Sequence, residues 1–349
     1  MARPDGADEP PSGPFPVNVG LPEGKGRRVV VELVNPRDAA SGPDGAIAAI
    51  DCGTNSTRLL IADRVGKTLV REMRITRLGA GVDADGVLAG DSIDRCVATL
   101  EEYRALMDTH GVTRGRLVAT SAVRDAANGS VFMDRARQAT GIQSEILSGL
   151  EEGRTSLAGA VADLAPTDGP FLVVDIGGGS TELVVARDAR DDHLDAVSLQ
   201  MGCVRISERF LHSDPPTDDE LIAARDEVVE QISSAVVAHP RFREGRRLVG
   251  LAGTVATLSA MNQGLSDYDR DRIHHSELTR EDVRTWLDRL ATMPAVSRLR
   301  FPGLDPGRED VILGGLLVLG VVMDVLGHTR CLVSESDILD GLIASQLDN

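Results

Sequence analysis

Two stretches of this chain carry the same string of residues suited to holding phosphate. Residues 48–62 read AAIDCGTNSTRLLIA and residues 172–186 read LVVDIGGGSTELVVA, so at a constant offset of 124 both give Asp-x-Gly-x-x-Ser-Thr-x-Leu. Asp51 matches Asp175, Gly53 matches Gly177, Ser56 matches Ser180 and Thr57 matches Thr181. Each unit reads as an apolar strand, a turn rich in Gly and Ser, and a second apolar strand, which is a β-hairpin. One DxG between strands would be only a good turn, since Asp and Gly favour turns anyway. Two copies with Ser-Thr in register make an internal repeat.

A tight turn without side-chain bulk lets backbone amides reach phosphate oxygens, and neighbouring hydroxyls add donors. In the second unit Gly177, Gly178 and Gly179 precede Ser180 and make the more open cradle; in the first, Gly53 is followed by the side-chain donors Asn55 and Ser56. Asp51 and Asp175 fall where their strands end, and a carboxylate there can hold hydrated Mg2+ (or Mn2+) through its waters. Glu182 interrupts the apolar return strand. It either faces solvent or joins Asp175 near the metal.

A candidate base lies upstream, in GIQSEILSGLEEGRTSLAGAVADL. Ser148 and Glu151 have capping-box spacing, which gives Glu151 a structural role. Glu152 points about 100° away from it on a helix and is either an ordinary first-turn acid or a proton acceptor entering the cleft. There the helix dipole favours the ionised form that a general base needs. Arg124, in ATSAVRDAANG, suits bidentate phosphate contact or is surface charge. Gly253 and Thr254, in LVGLAGTVATLSAM, open a helix that binds an anion or is a local turn. Arg241, Arg243, Arg246 and Arg247 form the one dense basic run, either a solvated loop or a tract for a long polyanion.

Positioning these groups requires two sheets. From Ala46 onward short apolar strands (Ala46–Ile50, Thr57–Ala62) alternate with helical periods such as Ser92–His110. With the domain-length repeat, this predicts an α/β protein of two similar halves, both hairpin tips pointing into the cleft between them. At 349 residues the chain exceeds the usual size of a single core. The expected division is a mobile extension over 1–45, rich in Pro, Gly, Asp and Arg, with Val29–Val34 its one strand-like run; a first domain over 46–168; and a second over 169–349, whose final helix packs back on the first.

A formal net charge of -17 repels polyanions, so an anionic substrate needs a divalent metal or local arginines to reverse the sign at the site. That charge argues against nucleic acid, and aromatics at 3% leave no stacking platform for single strands. Cys52, Cys96, Cys203 and Cys331 lie far apart without zinc-like spacing, and are expected as reduced, buried thiols. The start lacks an apolar signal core, and the longest apolar stretch, Val311 to Leu326, is short and broken by glycines and Asp324. A cytoplasmic protein without a membrane partner is the expectation, and a homodimer.

The carriers AAIDCGTNSTRLLIA, ATSAVRDAANG, EILSGLEEGR, VVDIGGGSTELVV, MGCVRISERF and GLAGTVATL occur in the order and approximate spacing of the Ppx/GppA phosphatase family, which the chain resembles from about Ala46 to its end. It is most similar to the family's short two-domain actinobacterial exopolyphosphatases, through LHSDPPT and SESDILDG. The resemblance implies two actin-like ATPase (ribonuclease H-like) domains with an interdomain cleft. It also implies Glu152 as the base that activates water, metal and phosphate roles for Asp175, Gly177, Ser180 and Glu182, and Asp51 and Arg124 lining the cleft. Gly153 stands where the family commonly has alanine, which removes helix propensity but no functional group.

The implied reaction is attack of a water on the terminal phosphorus of inorganic polyphosphate, with release of orthophosphate and Mg2+ assistance. Guanosine pentaphosphate offers the same terminal phosphoanhydride, so the motifs do not separate the two substrates. A non-catalytic sensor of polyphosphate or of nucleotide effectors, and a kinase, are the other readings; intact Glu152, Asp175 and Glu182 speak against the sensor.

Overall fold

The computed structural model describes residues 28–29 and 45–347. The first sheet contains β1 (Arg28–Val29), β2 (Ile47–Cys52), β3 (Ser56–Ala62), β4 (Thr68–Ile75), β5 (Arg114–Ala119) and β6 (Ser144–Ile146), in the spatial order β1-β4-β3-β2-β5-β6. The second contains β7 (Phe171–Ile176), β8 (Thr181–Ala186), β9 (Asp195–Leu199), β10 (Arg247–Leu251), β11 (Glu277–Thr279) and β12 (Arg330–Val333), in the order β11-β12-β10-β7-β8-β9. In each, the leading strand is flanked on one side by two successive antiparallel strands and on the other by two parallel strands, with a short antiparallel strand added at one edge, β1 in the first sheet and β11 in the second. This doubled α/β plan gives the two similar halves expected from the repeat, in the actin-like, ribonuclease H-like architecture that the resemblance implies. Of the expectations for residues 1–45, Arg28 and Val29 pair antiparallel with β4; those for 1–27 and 30–44 lie outside the described residues.

Both leading strands are buried along their whole length, and apolar but for Asp51 and Asp175, because both sheet faces are covered. One face of the first sheet packs on the helices Gly90–Thr109 and Gly129–Thr140. One face of the second packs on Asp218–Ala238, Ala252–Asn262 and Ile312–Leu326. The apolar stretch from Val311 forms the helix Ile312–Leu326, buried in the core of the second half, and among the described residues no helix is long and apolar enough to cross a membrane.

The other faces are covered by exchange. The helix Gly149–Ala160, which follows β6, puts Leu157, Ala160 and the next residue, Val161, on β7, β8 and β10 of the second sheet. The helix Ile338–Leu347, which follows β12, puts Ile338, Leu339, Leu342 and Ile343 on β2, β3 and β5 of the first. Burying each of those four aliphatic side chains contributes about 1.5–3 kcal/mol. Gln346 Nε2 donates to the Ala48 carbonyl at 3.0 Å, across 298 residues of sequence. The two exchanged helices meet where glycines face backbone: a Cβ on Gly341 would strike the Thr155 carbonyl, and one on Gly159 the Asp337 carbonyl.

Gly341→Ala is therefore expected to destabilise by about 1–3 kcal/mol through overpacking, although on an exposed helix the same change stabilises by about 1 kcal/mol. Urea unfolding decides between them, and unchanged or raised stability would mean that the helices do not close on each other there.

Candidate active site

Asp51 and Asp175 each occupy the fifth position of a six-residue strand and stand opposite the matched position of the return strand. There the repeat breaks in sign: Asp51 faces Arg58, whereas Asp175 faces Glu182. Arg58 donates to Asp51 Oδ2 from Nε at 3.0 Å and Nη2 at 2.6 Å, and reaches Asp337 Oδ2 at 2.5 Å. Among the described residues no cation pairs directly with Asp175; its Oδ2 accepts from Ser156 Oγ at 2.6 Å. Glu182 points inward, 1% exposed, with Oε1 accepting from Ser198 Oγ at 2.7 Å.

Ser148 caps the helix Gly149–Ala160 in a complete capping box: Glu151 N–H donates to Ser148 Oγ at 3.3 Å, and Ser148 N–H donates to Glu151 Oε2 at 2.9 Å. This turns Glu151 outward and Glu152 inward, 7% exposed. One turn on, Ser156 shares the face of Glu152, so a single helix supplies the acid and the hydroxyl on Asp175. Arg124, from the short helix Ser121–Asp125, donates through Nη1 to Glu152 Oε2 at 3.1 Å and to the Leu147 carbonyl at 2.8 Å. Gly153 has a steric reason as well, since a Cβ there would lie 2.9 Å from Val184 Cγ2.

The two turns close identically, with Gly53 N–H to Ser56 O and Gly177 N–H to Ser180 O, both at 3.0 Å. Gly53, Asn55, Ser56, Gly177, Gly178, Ser180, Gly253 and Thr254 line one cleft with Asp51, Glu152 and Asp175, with a cavity volume of about 150 Å³. Gly179 sits deeper, where a Cβ would lie 2.6 Å from Ser121 Oγ and 2.9 Å from Thr54 Oγ1, so its missing side chain lets the second turn close on the first half. The Arg308 guanidinium lies over Gly253, so the start of that helix presents an arginine as well as amides.

The basic run is not brought to the cleft. Arg241 and Arg243 lie in the turn Pro240–Glu244 and Arg247 opens β10, whose other end meets Asp175, about 13 Å away at strand rise. Arg246 donates to the Gly169 carbonyl, and Arg247 pairs with Asp168 at 2.9 Å. Arg246 and Arg247 thus tie down the turn before β7, and none of the four arginines lines the cleft.

Sequence reasoning missed Arg58, Ser156 and Asp337. Arg58 could have been found, since the offset of 124 that aligns the aspartates also sets it against Glu182. Ser156 could have been found from its four-residue spacing to Glu152. Asp337 approaches only through tertiary packing, where Arg58 and Arg71 share it.

Charged cleft-lining residues are Asp51, Glu72, Glu152, Asp175, Glu335 and Asp337 against Arg58, Arg71 and Arg308. Burial, then the facing Asp175, pushes the Glu182 carboxyl up to about 8. Burial also raises Asp175 to about 6, against the Ser156 hydroxyl and Arg58. Glu152 lies well above the ordinary glutamate value through burial and then Glu182, with Arg124 opposing. Asp51 Oδ1 and Glu182 Oε2 are buried without a hydrogen-bond partner among the described residues, as are the donors Asn55 Nδ2 and Arg124 Nη2. Unpaired buried carboxylate oxygens beside Asp175 are hard donors that suit Mg2+ or Mn2+.

A second group of potential ligands, Asp163, His274 and His275, lies outside the cleft. Glu335 N–H donates to His274 Nδ1 at 3.0 Å, so the neutral ring carries its proton on Nε2 and donates to Asp163 Oδ2 at 2.9 Å. Both ring nitrogens are engaged, and this group is a structural hydrogen-bond chain.

Residues 60–349 match the model of the Ppx/GppA phosphatase family. The chain belongs to that family. It is 42% identical over 316 residues to Exopolyphosphatase 2 of Mycobacterium tuberculosis, covering 86% of this chain and 98% of that protein. Among solved structures, the Ppx/GppA family member of Aquifex aeolicus is 31% identical with a TM-score of 0.73, over 88% of this chain and 99% of its own. An exopolyphosphatase from Cytophaga hutchinsonii is 26% identical with a TM-score of 0.79, over 87% and 98%.

In this Ppx/GppA protein the raised carboxyls make the folded state bind more protons than the unfolded one. Stability of the metal-free chain should therefore fall as pH rises from about 4.5, the ordinary glutamate value, through about 8. Thermal unfolding in chelator across that range should show the decline, Glu182→Gln should flatten it, and excess Mg2+ should offset it. A pH-independent melting temperature in chelator would mean that the cluster is not buried as described.

Proposed function

We propose that this chain is an exopolyphosphatase that hydrolyses the terminal phosphoanhydride of inorganic polyphosphate. The carrying observation is a set of four partnerless buried atoms, Asp51 Oδ1 and Asn55 Nδ2 on the cleft lining and Glu182 Oε2 and Arg124 Nη2 on residues that pair with the lining residues Asp175 and Glu152, two acceptors suited to a cation and two donors suited to phosphate oxygens. Glu152 accepts a proton from water as the water oxygen bonds to the terminal phosphorus. The bond from that phosphorus to the bridging oxygen breaks, leaving orthophosphate and a chain one unit shorter. Arg124 holds Glu152 through Nη1 and offers Nη2 to the transferred group; Asn55 Nδ2, Ser56, Ser180, Thr254 and the glycine turns contact phosphate oxygens. Asp175, Glu182 and Asp51 would hold Mg2+ or Mn2+, which when bound neutralises charge on the phosphates. With six acids against three arginines on the cleft lining, this neutralisation is needed for a polyanion to enter. The functional units are the domains 46–168 and 169–349, and the four buried free thiols fit the reducing cytoplasm.

Orthophosphate release should be measured on long polyphosphate, short polyphosphate and guanosine pentaphosphate side by side. Release from polyphosphate that requires Mg2+ or Mn2+ is expected; full activity in excess chelator would remove the metal from the reading, and release from guanosine pentaphosphate alone would replace the substrate.

Glu152→Gln is expected to lower turnover about 10^2- to 10^4-fold with substrate binding retained. Its neighbour gives the control: Glu151→Gln keeps a capping partner for Ser148, so it should cost at most about 1 kcal/mol and leave turnover nearly unchanged. If Glu151→Gln is the inactive variant, the assignment of the base is wrong.

A further inference from the structure

We propose that Arg205 is a positioning residue that couples closure of the cleft to the placement of Glu152, an inference that rests on the phosphohydrolase reading above. Arg205 lies on the helix Cys203–Phe210, whose first amides already hold the second turn: Cys203 N–H donates to Gly177 O at 2.9 Å, and Val204 and Arg205 N–H donate to Gly178 O at 2.9 and 3.1 Å. Its guanidinium, in a residue 9% exposed, divides three ways. Nε donates to the Gly179 carbonyl at 2.8 Å, Nη1 to Asp83 at 2.5 Å and Nη2 to Asp125 at 2.6 Å. The first partner belongs to the second phosphate turn, and the other two to the opposite half of the molecule.

Asp125 is the residue after Arg124 on the helix Ser121–Asp125, and Arg124 is the cation on Glu152. The same helix begins with Ser121, which packs on Gly179. One guanidinium therefore ties the turn that takes the phosphate to the helix that holds the base. Separating the halves breaks the contacts to Asp83 and Asp125 and frees that helix to drift from Glu152, so the base is fully organised only when the turns have closed around a substrate. Other ion pairs across this face lack that geometry. Arg209 shares Asp83, and Arg77 meets Asp310 at 2.8 Å with both side chains about 40% exposed, a setting in which a pair contributes little. The planar fork of arginine is required, since a lysine ammonium cannot span three partners on two sides.

The test is Arg205→Lys, with Asp125→Asn as a second variant that removes only one of the three contacts. Both are expected to lower kcat for polyphosphate, Arg205→Lys by about 10^2-fold, as a displacement near 1 Å costs a catalytic group, while KM moves far less. Arg209→Lys should retain wild-type turnover. In an Arg124→Gln background the loss from Arg205→Lys should largely vanish, because the two act through one path; additive losses, or a change in KM alone, would overturn the coupling. Hydrogen exchange without substrate separates this proposal from the assignment of substrate. Arg205→Lys and Asp125→Asn should each deprotect Ser121–Asp125 together with the turn 177–180. Deprotection of both segments in a chain whose wild type releases no orthophosphate would sink only the polyphosphate reading, whereas unchanged protection at Ser121–Asp125 would sink the coupling whatever the substrate.

Discussion

Four carboxylates, Asp51, Glu152, Asp175 and Glu182, share one buried seam, and their mutual repulsion is the constraint to which the surrounding structure answers. Each is relieved differently: Asp51 by a guanidinium, Glu152 by another, Asp175 and Glu182 by serine hydroxyls. A hydroxyl hydrogen bond to an ionised carboxylate returns about 1.5–3 kcal/mol, and burying an uncompensated charge costs several, so one serine hydroxyl each does not balance the side they serve. The deficit lies on Asp175 and Glu182, where the repeat replaces Arg58 by an acid. Two near-copies of one hairpin thus become different sites through one charge reversal.

The sheets carry that deficit because their cores extend across both halves. The exchanged helices put apolar surface of each half on the sheet of the other and cross where glycines allow backbone contact. Glu152 rides on one of these helices and Asp337 precedes the other, so the groups flanking the cleft are set by the same packing that joins the halves. Strain is also present at the cleft lining: Ala252, at the start of the Ala252–Asn262 helix, holds φ of 67°, a left-handed conformation unfavourable for a residue with a Cβ.

The hairpins, their pairing across a cleft and the roles of Ser148 and Glu151 were legible because each rests on local spacing. Strand limits were nearly so: β2 continues to Cys52, past the expected Ile50, because Asp51 and Cys52 still pair with β3 and β5. Glu182 was left open because charge on an apolar strand has no sign of direction until its face is known. The basic run was left open between a solvated loop and a polyanion tract because density of arginine says nothing about which end of a strand it flanks; Arg246 and Arg247 serve as ties for a neighbouring turn. Gly153 and Gly179 read as lost helix propensity and as an open cradle; both are positions where another element needs the space.

The exchange of covering helices has a consequence for the order of assembly during synthesis. The strands β2 and β3 leave the ribosome early, yet the helix that covers one of their faces arrives with Gln346, whose bond to Ala48 spans 298 residues. Until then Ile47, Ala49, Leu60 and Ala62 present bare aliphatic surface. The first half thus waits as an incomplete sheet while the second is made, a period in which contact with another nascent chain competes with the native partner.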